Sequence, residues 1–320
     1  RPIMRQTDPG VEEAKPVNDV LKPLLYADIF DYPLTFNEIY RFLEFRTTRD
    51  ELQNLLDQAV NNNEIIFLDG VYCLSDRAHL AARRQERWQA AQKLWPKAVH
   101  YGRWIAGLPF IRMVAVTGSL AVENPRDNAD DIDFLIVTRP GRLWSCRAII
   151  ILLVRYARLR GVHLCPNYLL TENIIHFTDT NLFVAREMLQ MIPLYGKDLY
   201  LTMRYLNDWV TDYLPQGKGL NLNRVNDDLS FLQRFVKWSS ELVLGGVLGD
   251  WIERPLQTYQ ISKHTRLAEK YGAMDKVIFT AEQCKGHYDG HRNRIMTTYQ
   301  GRLDKYNARF GPNGHVPPPI

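Results

Sequence analysis

Apolar residues recur at helical spacing in three stretches between residues 17 and 60, and then the rhythm changes. VNDVLKPLLYADIF (17–30) reads as a first helix. In DYPLTFNEIYRFL, Thr35 and Glu38 have the spacing of a capping box, in which hydroxyl and carboxylate each accept from a backbone N–H that the first turn leaves unpaired. Thr48 and Glu51 repeat that signature before a third helix, where Leu52, Leu55, Leu56 and Ala59 share one face. EIIFL and VYCL then read as two short strands joined by Asp69-Gly70, a tight turn that needs positive φ at both positions. Three helices followed by a hairpin is the winged-helix arrangement, expected over 17–76.

A long helical connector follows, over 77–108. From residue 112 the pattern becomes β-like. RMVAVTG and DIDFLIVT read as strands, and RLWSCRAIIILLVRYARLRG as a helix closed by Gly161. VHLCPNYLL is a further strand, with Pro166 marking an edge or a bulge. IIHF (174–177) reads as another short strand. After residue 180 the expectation is almost wholly helical, over 181–195, 197–214, 226–248 and on to about residue 308. Residues 1–16 and GPNGHVPPPI read as tails.

The chemistry concentrates in VTGSLAVENPRDNADDIDFLIVT (116–138). Residues two apart on a strand project to the same face, so Asp131 and Asp133 point together while Ile132 packs behind and Asp130 turns away. Two carboxylates held close repel, and a divalent cation resolves the repulsion. Magnesium takes carboxylate oxygens together with substrate phosphates rather than a full protein cage. Gly118 permits close backbone approach, and Ser119 brings a hydroxyl and the unpaired N–H groups of a helix start to phosphate oxygens. Gly-Ser alone or Asp-x-Asp alone is common; joined at this spacing, each after or within a strand, they are far more specific.

VAVTGSLAVENPRDNADDIDFLIV resembles the signature of the DNA polymerase beta-like nucleotidyltransferase superfamily over roughly residues 110–178, with Gly118, Ser119, Asp131 and Asp133 matching directly. The resemblance implies a small mixed sheet with flanking helices. It also implies transfer of a nucleoside monophosphate from an NTP to an acceptor, with pyrophosphate release and with Mg2+, or else Mn2+, as cofactor. Gly118 and Ser119 would hold the triphosphate, and Asp131 and Asp133 the metal. A third carboxylate is usual on the strand after the intervening helix; here the polar residue of that strand is Asn167, with Glu172 just past it. Lys197, near a helix boundary, and Lys285, His287 and Arg292 in CKGHYDGHRNRI are further candidates for phosphate or acceptor contact. His287 and His291 have metal-ligand spacing only if helical, which Gly286 and Gly290 oppose. The fold expected is therefore α+β: a winged helix (17–76), the connector (77–108), a mixed-sheet nucleotidyltransferase domain (109–196) and a C-terminal helical domain (197–310).

Composition narrows the context. Four scattered cysteines without a CxxC pair argue against a zinc cage or a disulfide framework. The longest pure apolar run, AIIILLV, is too short to span a bilayer, and the polar first residues do not read as a secretory leader; a cytoplasmic protein without membrane is expected. Between residues 77 and 112 eight Lys or Arg face one acid, Glu86. That stripe would suit a nucleic-acid acceptor, and a solvated helix face accounts for it equally well. The third helix of the winged unit mixes Arg49 with Asp50, Glu51 and Asp57, which favours a homodimer or partner-protein contact over DNA reading. Alternatives to the enzyme are a catalytically degenerate nucleotide-binding regulator and an antitoxin-like protein.

Overall fold

Thr35 and Thr48 cap their helices as their spacing predicts, each within a complete capping box with Glu38 and Glu51. Asp69 and Gly70 take φ of 52° and 81°, as the hairpin requires. The computed structural model describes residues 17–272, 277–286 and 291–310. In chain order its elements are α1 (Val17–Ala27), α2 (Phe36–Arg41), α3 (Arg49–Asn61), β1 (Ile65–Leu68), β2 (Val71–Leu74), α4 (Leu80–Ala106), β3 (Ile111–Thr117), α5 (Gly118–Ala121), β4 (Ile132–Thr138), α6 (Leu143–Leu159), β5 (Leu164–Thr171), α7 (Leu182–Gln190), β6 (Ile192–Tyr195), α8 (Lys197–Leu206), α9 (Val210–Tyr213), α10 (Phe231–Leu244), α11 (Val247–Lys270), β7 (Ile278–Phe279), β8 (Gln283–Lys285) and α12 (His291–Phe310). The class is α+β. Among the described residues no helix is long and apolar enough to cross a membrane.

Strands β1 and β2 pair with each other; the other six form one mixed sheet, in the order β6-β3-β4-β5-β8-β7. Only β4 and β5 run parallel, joined by the α6 crossover; the remaining pairs are antiparallel. The central strands are apolar on both faces because both faces are covered. Met113, Ala115, Leu135 and Val137 pack in a core with α1, α7 and α8, while Val114, Val116, Phe134 and Ile136 pack in a second core with α4 and α6.

Three short strands depart from the helical expectation. The run expected over 181–195 ends at Gln190, and Ile192–Tyr195 is instead the edge strand β6, paired with β3. Pro193 explains the break: it lacks the N–H a helix interior uses and is tolerated on a sheet edge. Strands β7 and β8 were not anticipated, being two and three residues long. IIHF forms no strand; only its first residue belongs to an element, the end of a 3-10 turn, Glu172–Ile174. Residues of 197–310 are distributed over the molecule rather than gathered in one body. β7 and β8 extend the sheet, whereas Tyr299 of α12 lies edge-on to Tyr26 of α1 at 5.3 Å and Arg302 pairs with buried Asp28.

The basic stripe of the connector is largely consumed within the fold. Arg77 and Arg83 pair with Asp31. Arg84 binds Glu38 at 3.0 Å and lies over the Tyr32 ring. Arg87 donates to the Phe30 carbonyl and to Asn124 Oδ1, both at 2.8 Å. Arg103 donates to the Asp228 carbonyl and Arg112 pairs with Glu241 at 2.9 Å. The charge density that suggested a phosphate-facing surface is mainly a clasp between α4 and the segment Phe30–Glu38.

Helix α6 has no cap of its own, since its N-cap residue is Arg142. The buried Glu253 of α11 supplies one, its carboxylate accepting from the backbone N–H groups of Trp144 and Ser145, both at 2.8 Å, and from the Ser145 hydroxyl. A carboxylate there also meets the positive end of the helix dipole. Glu253→Ala strands one buried and one partly buried N–H group, so it should cost about 2–4 kcal/mol, read as a lower urea midpoint at unchanged slope.

Candidate functional site

The antiparallel pairing of β3 with β4 ends where Thr117 faces Asp133, so the chain leaving β3 enters Gly118 directly beside that carboxylate. Gly118 takes φ of 65°. A Cβ placed there would lie 2.3 Å from Asp133 Oδ2. Only glycine combines the left-handed backbone with so close an approach. Asp133 shares its sheet face with Leu135 and Val137 by strand alternation, the face that α7 covers. Asp131, one residue before the strand, has a side chain 64% exposed, 3.8 Å from His163 Nδ1. The pair thus has one recessed and one solvent-facing acid.

Asp130 does not turn away. It accepts from the Arg126 N–H at 2.9 Å and from the Ser119 hydroxyl at 3.3 Å, so it folds the 122–131 loop back over Gly118-Ser119. Helix α5 is a single turn, so any hold on an anion here comes from local N–H groups and the Ser119 hydroxyl more than from a helix dipole.

Burial pushes the Asp133 carboxyl up to about 7; the charges of Asp131 and Asp130 add to this, and a hydrogen bond with the Cys165 thiol opposes it. In the parallel register Cys165 of β5 lies opposite Asp133, with a bulge between Asp133 and Leu135 that takes up Pro166 and Asn167 before Tyr168 pairs with Leu135. Strand β5 therefore brings a thiol, and no acid, to the position beside Asp133. A further acid on α7, Glu187, feels the Asp133 charge. Burial raises Glu187 to about 7 as well, the charge of Asp133 adding to the rise and Lys285 opposing it. Lys285, on β8, pairs in register with Tyr168, its ammonium 5.5 Å from that ring's centroid.

Of the residues singled out in the sequence, Gly118, Ser119, Asp131 and Asp133 converge, while Lys285 lies beyond β5, against Tyr168. Asn167 sits in the bulge, off the register position beside Asp133. Glu172 follows Thr171, which pairs with Thr138 at the other end of β4, about 17 Å along the strand from Asp133. Lys197 lies past the far end of β6, beside Gly196, where a Cβ would run into the Arg112 carbonyl and Met113; the Lys197 N–H donates to Asp227. Neither Glu172 nor Lys197 reaches the Asp133 end. His287 and the Arg292 side chain fall outside the described residues. Glu187 was not singled out; the available signal was a charged pair, Arg186-Glu187, inside the otherwise apolar LFVAREML.

Among the described residues no three His, Cys, Asp or Glu side chains stand close enough to enclose a metal ion by themselves. Hard carboxylate oxygens from Asp131 and Asp133 suit Mg2+, with substrate oxygens needed to complete the shell. Compared with protein-family models, with curated proteins and with solved structures, the chain matches none.

Proposed function

We propose that the chain is a Mg2+-dependent nucleotidyltransferase, moving a nucleoside monophosphate from an NTP to an acceptor hydroxyl with release of pyrophosphate. The observation that carries this reading is the Gly118 backbone held against Asp133, with Asp131 at the rim and Ser119 beside it. Backbone N–H groups and a hydroxyl for phosphate stand next to a carboxylate pair for a cation. Bound Mg2+ would screen the triphosphate charge and help lower the barrier to attack at the α-phosphorus. Asp131 and Asp133 would hold it; Gly118 and Ser119 would orient the β- and γ-phosphates. Tyr168 and Lys285 border the same face, where an aromatic ring and a cation suit a nucleotide.

The absence of an acid on β5 beside Asp133 favours a second reading, a regulator that binds nucleotides with little turnover. The N-terminal three-helix unit, a winged helix by arrangement, then serves to hold a partner. The outward face of α3 carries Asp50, Gln53, Asn54 and Asp57, while the Arg49 guanidinium is spent on Asn37 and Tyr40. Weak, non-specific duplex DNA binding at physiological salt is expected, measured by fluorescence anisotropy.

Incubation with each labelled NTP, Mg2+ and total RNA tests the enzyme: pyrophosphate release with a labelled product is expected. Binding of an NTP without product supports the regulator, and no Mg2+-dependent nucleotide binding sinks both readings. Glu187 is expected to supply the acid that β5 lacks. Glu187→Gln should then weaken Mg2+-dependent nucleotide binding or transfer about tenfold, whereas Asn167→Asp and Glu172→Gln change either by less than about twofold. Calorimetric titration with the Mg2+ complex of the NTP distinguishes the three.

A further inference from the structure

Helix α10 is docked by its polar side. Gln233, Lys237 and Glu241 recur at intervals of four and face the body of the protein. Gln233 donates to the Arg103 carbonyl at 3.1 Å, and Lys237 to the Ala106 and Ile111 carbonyls at 2.8 and 2.7 Å. Glu241 accepts from the Phe110 N–H at 2.6 Å and from Arg112. Helix α11 does the same with Glu253 and Gln260, both buried. An amphipathic surface helix of a monomer packs the other way round.

The apolar side consequently faces outward. Phe231, Phe235, Trp238 and Leu242 form a stripe at i, i+4, i+7 and i+11, and α10 buries none of its residues. Val247 and Trp251 carry the stripe onto α11. Phe231 is 77% exposed, Trp238 63%, Leu242 70% and Trp251 76%. With their apolar neighbours these side chains present on the order of 1,000 Å2, well beyond the few hundred that a monomer ordinarily exposes. That area matches the ~800 Å2 per partner of a stable interface.

The segments of this sequence outside the described residues hold few large apolar side chains to cover it: Ile3, Met4 and Val11 in 1–16, Met274 in 273–276, Tyr288 in 287–290, and Val316 and Ile320 in 311–320. A helix lying in a membrane interface turns the Lys and Arg of its polar side toward headgroups. The polar side of α10 is instead turned into the protein, Lys237 onto backbone carbonyls and Glu241 onto the Phe110 N–H and Arg112; the further cations Arg254, Lys263, Arg266 and Lys270 lie on α11. Two neighbouring helices with a continuous apolar face are, in contrast, self-complementary across a two-fold axis.

We propose that the α10–α11 face is a homodimer interface, in which a second copy of this chain lays its own α10–α11 pair against the first as a four-helix layer. This places the contact between copies away from the α3 unit, where the sequence suggested it. It does not depend on the nucleotidyltransferase reading.

Light scattering and sedimentation of the full chain from about 1 to 100 µM test it. A dimer is expected, with dissociation at or below the low micromolar range. Trp238→Arg with Trp251→Arg should yield a monomer with an unchanged far-UV circular dichroism spectrum. Phe231→Asp with Leu242→Asp is a second, independent disruption at equally exposed positions. Hydrogen exchange of the wild type adds a readout without substitution: raising the concentration should slow exchange within α10 and α11. A wild-type monomer at about 100 µM overturns the proposal, whether or not it floats with phosphatidylcholine–phosphatidylglycerol vesicles. So does a dimer that survives both double substitutions, or concentration-dependent protection confined to other elements.

Discussion

Asp133→Asn should abolish Mg2+-dependent nucleotide binding and transfer while making the metal-free protein more stable at pH 8. Both effects come from one carboxyl group. Burial and the neighbouring charges of Asp131 and Asp130 raise it from the ordinary carboxylate range to about 7. The folded protein therefore keeps a proton there between about pH 4 and 7 that the unfolded chain has released. Where the folded state binds more protons, stability falls as pH rises, so this group costs stability progressively across that window and in full above pH 7. Asparagine removes the charge and still accepts a hydrogen bond from Cys165. A gain on the order of 2 kcal/mol, or several degrees in Tm, is expected at pH 8 and close to none near pH 4. The same proton competes with metal, so wild-type affinity for the Mg2+–nucleotide complex should fall up to tenfold per pH unit below about 7. Thermal melts and calorimetric titrations at several pH values read both effects. A variant that retains Mg2+-dependent binding ends the metal-platform reading.

Gly118→Ala should be the most damaging small substitution in the site. The new Cβ would lie 2.3 Å from Asp133 Oδ2 and 3.1 Å from its Cγ, so the carboxylate must rotate away from the rim acid with which it is proposed to act. The left-handed φ of 65° adds strain of about 1–2 kcal/mol. Gly141→Ala separates the two causes: it has φ of 71° and nothing within 4 Å of its Cβ position. Gly141→Ala should lose only the strain, and Gly118→Ala more than that. Only Gly118→Ala should lose nucleotide binding, by tenfold or more in calorimetric titration. Equal losses of binding in the two would show that backbone strain, not contact with Asp133, matters.

These two positions were legible before any coordinates because the signal is local. Gly118-Ser119 and Asp131-x-Asp133 each lie within one turn or strand end, and strand alternation fixes which way the acids point. The capping boxes and the Asp69-Gly70 hairpin were legible for the same reason. What failed was non-local. The strand β6 rests on pairing with β3, which no window around Ile192–Tyr195 contains. The β5 bulge shifts the register by an amount the sequence does not display, and so Cys165, not Asn167, came to lie opposite Asp133. Glu187 comes under the influence of the Asp133 charge only through the tertiary packing of α7. The cluster of arginines in 77–112 read as surface because their acceptors, Asp31, Glu38 and backbone carbonyls of the Phe30–Pro33 turn, lie some fifty residues earlier in the chain.

That cluster has a mechanical corollary. Helix α4 spans 27 residues, about 40 Å at 1.5 Å per residue. Its first half is bolted to the α1–β2 unit by Arg83, Arg84 and Arg87, and its second half is sunk in the core of the sheet through Leu94, Trp95, Ala98 and Ile105. A module on a flexible tether sweeps a volume and meets its target by chance, at an effective concentration set by linker length. One fixed to a rigid spar does not search. A partner on the outward face of α3, as proposed, would be delivered at a set distance and bearing from the Asp133 end of the sheet, and would be selected by size and shape before any side chain touched it.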